Sequence, residues 1–129
     1  PVDGGATAAR SRAPNVYQLN IPAITQQGIR YEDIVASVDV VLSKPGYGII
    51  AECAANDTAL LYTSRGAFAE YHVLVDAMPK FVRCAYIEHD QLFAGAWSST
   101  LQKLLDQPTA APPRTDGAAV VARRLASYL

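Results

Sequence analysis

A repeated alternation constrains this chain most. Three short aliphatic-rich runs, 39–43 (DVVLS), 59–63 (ALLYT) and 81–87 (FVRCAYI), are each followed by a stretch with helical spacing. Runs this short and apolar suit strands buried on both faces, as strands of a parallel sheet are. The strand–helix–strand–helix order therefore predicts an α/β fold with a parallel sheet and helices on both faces.

Helices are expected over 31–38, where Ile34, Val35 and Val38 share a face, and over 49–55. Another is expected over 67–77, ended by Met78-Pro79 because proline disfavours helix in the residue before it. A long helix is expected over 90–105. Its stripe of Leu92, Phe93, Ala96, Trp97, Leu101, Leu104 and Leu105 reads as core. A last helix after Gly117 carries Val120, Val121, Leu125 and Ala126. Residues 15–20 alternate like a strand, and 21–28 read as a polar connection holding Pro22 and Gly28. Residues 1–14, rich in Gly, Ala and Arg, read as a flexible tail or linker, which leaves 15–129 as the domain.

Charge narrows the function classes. With 11 basic and 12 acidic residues the net charge is -1, so there is no electrostatic footprint for nucleic acid. A phosphate-bearing ligand would need local donors. Cys53 and Cys84 form no CxxC and stand apart from paired histidines; they read as buried free thiols, with no metal and no cofactor expected. No apolar run approaches the ~18 residues of a membrane-spanning helix, and no signal-peptide pattern is present. The chain starts at Pro1 rather than Met, which reads as an excised piece of a longer protein.

In open α/β sheets ligands sit beyond the carboxyl ends of the strands. Two loops therefore matter. The first is Ser43-Lys44-Pro45-Gly46-Tyr47-Gly48. Its glycines allow close backbone approach, and the amides at the following helix start suit a diphosphate, with Lys44 adding charge. A plain tight turn explains the same residues. Glu52, farther along that helix, could accept hydrogen bonds from ribose hydroxyls or simply partner the helix dipole. The second loop, around Arg65, Gly66 and Glu70, offers a cation for an anion and a carboxylate for sugar hydroxyls; a solvated helix start is the plainer account. His72 and His89 read as surface or filler residues, and no catalytic residue emerges.

The run 39–73, DVVLSKPGYGIIAECAANDTALLYTSRGAFAEYHV, resembles the C-terminal domain of GT-B glycosyltransferases, with a Rossmann-like sheet. It is similar to the lipid-linked N-acetylglucosamine transferases of peptidoglycan synthesis. It is more similar still to the glycosyltransferase-like part of plant arabinokinases. Lys44, Gly46, Tyr47, Gly48 and Glu52, then Arg65, Phe68 and Glu70, carry the likeness, which spans residues 30–126.

The resemblance implies an incomplete GT-B C-terminal domain. Gly46 and its neighbours would line the diphosphate or sugar of a nucleotide-sugar such as a UDP-sugar. Glu52 would hold the ribose and Glu70 the donor sugar. Ala69 stands where the family has the first residue of a polar pair. The parent would transfer a sugar to an acceptor hydroxyl in the cytoplasm, peripheral to the inner membrane. The catalytic base would come from a missing N-terminal acceptor domain. A non-catalytic nucleotide-binding module is the second reading. A self-associating fragment, forming a homo-oligomer through an exposed sheet edge, is the third.

Overall fold

The computed structural model describes residues 8–10 and 13–128. The chain divides into two compact units, residues 1–34 and 35–129.

In the first unit, strand β1 (Ala8–Arg10) pairs antiparallel with β2 (Tyr17–Leu19), with Ala9 opposite Gln18. Most of the expected tail, residues 1–7 and 11–12, lies outside the described residues. The expected strand at 15–20 is β2, but it pairs with β1 in a two-stranded sheet of their own. The expected polar connection is corrected: helix α1 (Ile21–Gln26) occupies it. Asn20 caps this helix by accepting from the Ala23 amide at 3.2 Å, and Pro22 sits in the first turn, where its missing N–H costs nothing.

Helix α2 (Tyr31–Ala36) crosses into the second unit, where its Val35 is buried. The second unit then alternates strand and helix. Strand β3 (Val40–Ser43) is followed by α3 (Tyr47–Asn56), then β4 (Ala59–Tyr62), α4 (Tyr71–Ala77), a 3₁₀ turn (Met78–Lys80) and β5 (Cys84–Tyr86). The three strands form a parallel sheet in the order β3-β4-β5.

The central strand explains the two-sided burial. Leu60 and Tyr62 of β4 pack with Ile50, Cys53, Leu74 and Met78 in one apolar cluster. The alternate residues, Ala59 and Leu61, pack with Ile87 and Leu104 in another. Because successive strand residues face opposite ways, these two clusters lie on the two faces of the sheet. Helices α3 and α4 cover one face, and α6 (Ser98–Leu105) covers the other over β4 and β5. The fold is thus α/β with a small three-stranded parallel sheet between helices.

The long helix expected over 90–105 is broken in two. Helix α5 (His89–Phe93) ends before Gly95, whose φ of +71° lies in the left-handed region, and α6 starts after Trp97. The common stripe is lost with it. Leu92, Leu101 and Leu104 still pack on the sheet, but Phe93 is 85% exposed. Trp97 is 37% exposed, and its indole N–H donates to the Leu92 carbonyl at 2.7 Å. It fastens the bend instead of filling the core. The last helix, α7 (Gly117–Ala126), is present, with Val120, Val121 and Leu125 exposed. Among the described residues, no helix is long and apolar enough to cross a membrane.

Side chains fix the approach to the sheet. The buried Thr58 hydroxyl donates to the Val35 carbonyl at 2.9 Å, tying the entry of β4 to the end of α2. Thr58→Val is expected to lower unfolding free energy by about 1–2 kcal/mol, because the acceptor loses a buried donor while the shape is kept. A shift in urea midpoint with unchanged slope checks it; no shift would mean the bond contributes nothing net.

Candidate functional site at the strand ends

The carboxyl ends of β3 and β4 carry the two loops singled out by the sequence, and the structure stitches them together. Pro45 is fully buried and anchors the first loop. Its carbonyl accepts a hydrogen bond from Nη1 of Arg65 at 3.1 Å. The Arg65 guanidinium also lies 4.3 Å from the centre of the Phe68 ring, a cation–π distance. A second stitch is the Tyr47 hydroxyl donating to Oε2 of Glu70 at 2.7 Å. That bond to a carboxylate pushes the Tyr47 phenol above its ordinary value, because the proton is held between the two groups.

Glycine serves a specific purpose at residue 46. Its φ of -161° is extended backbone that any residue adopts, so conformation does not demand it. A Cβ there would lie 3.0 Å from Nη1 of Arg65, so a larger residue would displace the end of that side chain from the Pro45 carbonyl. Gly66, in contrast, has a φ of +77°, and its amide bonds the Ser64 hydroxyl at 3.1 Å, turning the second loop.

Gly46 is also the N-cap of α3 and provides no side-chain cap. The amides of the first turn thus lack intrahelical acceptors, as at every helix start, and carry the positive end of the helix dipole. Arg65 brings a second positive charge to this end. No carboxylate pairs with Arg65 among the described residues. The uncapped amides and the Arg65 guanidinium favour an anion on that side of the helix start, while the Glu70 carboxylate on Tyr47 adds a negative charge nearby. Around Gly48 a Cβ would meet nothing within 4 Å, so this flank of the helix is open.

Glu52 lies elsewhere on α3. It is half-buried and lines a cleft of about 520 Å³ between α3 and α4. Tyr47 stands in the same cleft; Ile50, Leu74, Met78 and Phe81 make it apolar, and Arg114 contributes to its lining. Arg114 is held as a fork on Asp116, with contacts of 3.1 and 2.7 Å.

The sequence-predicted residues thus separate into groups. Tyr47 links the two regions: it lines the cleft with Glu52 and bonds Glu70 of the second loop. Arg65 sits against Gly46. Ser43 spends its hydroxyl on the Lys44 carbonyl at 3.2 Å, and its own carbonyl takes the Thr63 amide at 3.3 Å. Lys44 is exposed and makes no ion pair among the described residues. Sequence reasoning missed Met78, Phe81 and the 113–115 segment as cleft walls; only the Met78-Pro79 helix stop hinted at a wall there. It also missed Thr63, whose buried hydroxyl has no partner at the end of β4.

The thiols are free, Cys53 buried and Cys84 half-buried. Among the described residues no group of three or more His, Cys, Asp or Glu side chains is placed to hold a metal ion. His72 and His89 are exposed. Comparison with protein-family models, curated proteins and solved structures finds no match to this chain.

Proposed function

We propose that this chain is the donor-binding part of a glycosyltransferase-like protein of GT-B architecture and takes a nucleotide-sugar, such as a UDP-sugar. The observation that carries this reading is the uncapped start of α3 with Arg65 held beside it through the Pro45 carbonyl. A diphosphate set there accepts hydrogen bonds from the first-turn amides and faces the guanidinium and Lys44. Glu52 lies five residues beyond Tyr47, about 7.5 Å farther along a helix. Glu52 shares the cleft with Tyr47 and would accept the hydroxyls of a ribose joined to the diphosphate. Glu70, oriented by Tyr47, would accept hydroxyls of the donor sugar.

In transfer, the leaving diphosphate gains negative charge as the bond to the anomeric carbon breaks. Preoriented amides and a cation stabilise that charge more in the transition state than in the ground state. The acceptor hydroxyl also has to lose a proton, and the base for this belongs to the acceptor domain of the parent. A cytoplasmic parent, peripheral to the inner membrane, fits a soluble nucleotide donor. In a non-catalytic version of the parent, the same contacts would bind the nucleotide-sugar without transfer.

Titration calorimetry with UDP and UDP-sugars tests the reading. Saturable binding is expected, weakened at least ~10-fold by Glu52→Ala, the equivalent of about 1.4 kcal/mol. Binding by the folded chain that is indifferent to both Glu52→Ala and Arg65→Ala, or no binding at all, would remove the proposal.

A further inference from the structure

The cleft between α3 and α4 holds few groups that can read the edge of a ligand. Ile50, Ala51, Ala54, Leu74, Ala77 and Pro113 form its apolar walls, and these side chains neither donate nor accept hydrogen bonds. Midway along α3 the backbone amides and carbonyls are taken by the helix's own ladder. Pro113 has no amide to offer. Two aromatic rings complete the lining, Tyr47 at 59% exposed and Phe81 at 47%. At about 520 Å³ the cleft falls within the ~300–1,000 Å³ range of small-molecule sites.

The polar side chains of the lining are either engaged already or undiscriminating. The Tyr47 hydroxyl is held by Glu70. Arg114 commits Nε and Nη2 to Asp116, and its remaining N–H groups can only donate. Every nucleobase carries acceptors on its edges, so a donor alone does not tell the bases apart. Thr115 brings a hydroxyl that can donate or accept, so it suits any base. The Glu52 carboxylate makes no ion pair among the described residues and is left for the ribose.

We infer that the base of the nucleotide lies in this cleft and that the site accepts purine and pyrimidine nucleotides alike. The inference rests on the nucleotide-sugar reading and deepens it. A base there is held by apolar contact and by the rings of Tyr47 and Phe81, which serve every base because every base has a π-face. An apolar pocket separates ligands that differ by one small group only ~10–200-fold, whereas a pocket that hydrogen-bonds a ligand edge rejects the wrong one by ~10⁴–10⁵. This cleft is of the first kind. Purines gain a little, since two rings bury more apolar area than one. Selection of the donor then falls to its sugar, at Glu70.

Titration calorimetry with UDP, CDP, ADP and GDP, beside inorganic diphosphate, tests it. The four dissociation constants are expected within about tenfold of one another, the purines on the tighter side. This comparison needs no variant. Two substitutions then locate the base: Ala55→Trp, at an exposed position of α3 on the cleft, and Phe81→Ala, which removes one ring. Each should weaken all four nucleotides at least ~fivefold, the lower end of what a stacking side chain contributes, and leave inorganic diphosphate, which has no base, unchanged. A preference above ~100-fold for one base overturns the inference and leaves the nucleotide-sugar reading standing. Nucleotide binding indifferent to both substitutions does the same. No binding of any nucleotide removes both.

Discussion

Leu60→Ala should cost about 3–5 kcal/mol of unfolding free energy, the range for removing a buried leucine from a close-packed site. Leu60 is 0% exposed in the middle strand and packs in the cluster that joins the sheet to α3 and α4. Its neighbours in that cluster are held by the parallel ladder and by two helices, so collapse into the void is restricted and the upper part of the range applies. A chain of this length has a total stability of roughly 5–15 kcal/mol, so the loss is a large fraction of it. Urea unfolding followed by circular dichroism should show the midpoint falling steeply with little change in slope. Val73→Ala is the internal control: Val73 is 71% exposed on α4, and less than about 0.5 kcal/mol is expected. A loss below about 1 kcal/mol at Leu60 would mean that the sheet and helices are not packed as described.

Stability should also fall sharply on the alkaline side. Burial pushes the Cys53 thiol up to about 11, with the nearby Glu52 carboxylate adding to the effect. Burial also pushes the Tyr62 phenol up to about 12, with smaller contributions from Cys84, Tyr71, Tyr86 and Asp76. Both groups stay protonated in the folded chain at pH values where the unfolded chain has lost those protons. The unfolded state therefore binds fewer protons, and stability declines as pH rises. The contribution is intact below about pH 9, the ordinary thiol value. It is lost through the window up to about 11 for Cys53, and from about 10 to about 12 for Tyr62. Within its window each group removes up to about 1.4 kcal/mol per pH unit. Cys84, also raised by burial, acts in the same direction. Urea midpoints measured from pH 7 to pH 11 check this. Cys53→Ala should make the decline between pH 9 and 11 shallower, with Cys84 and Tyr62 carrying the rest, and a flat profile over the range would show that these groups are not buried in the neutral form.

The candidate site was legible in its parts and not in its assembly. Gly46, Tyr47, Arg65 and Glu70 stand out because they follow aliphatic runs that a parallel sheet would end there. That Arg65 would bond the Pro45 carbonyl, or Tyr47 the Glu70 carboxylate, has no local signal, because the partners are 20 and 23 residues apart. Glu52 reads as a neighbour of the Gly loop along the helix, yet the cleft it lines is completed by α4 and by residues 113–115. The nucleotide-sugar reading thus depends on a contact set that spacing alone could not supply.

By itself the sequence determined the α/β class, the three parallel strands and the helices between them. Burial on both faces of a strand requires an unbroken aliphatic run, and Ala59–Tyr62 is buried at all four positions. Tertiary structure decided what periodicity does not encode. Gly95 took a left-handed backbone and broke an apolar stripe that looks continuous at 3.6 residues per turn, because α6 and not the whole stripe had to lie on the sheet. Asn20 capped a helix over residues whose polarity reads as a loop, since a cap and a first-turn proline outweigh weak periodicity. Gln107 satisfied the outward amide and carbonyl of Cys84 on the β5 edge from 23 residues away. In each case a hydrogen-bond partner or a packing surface distant in sequence chose among states that the local residues left nearly equal in free energy.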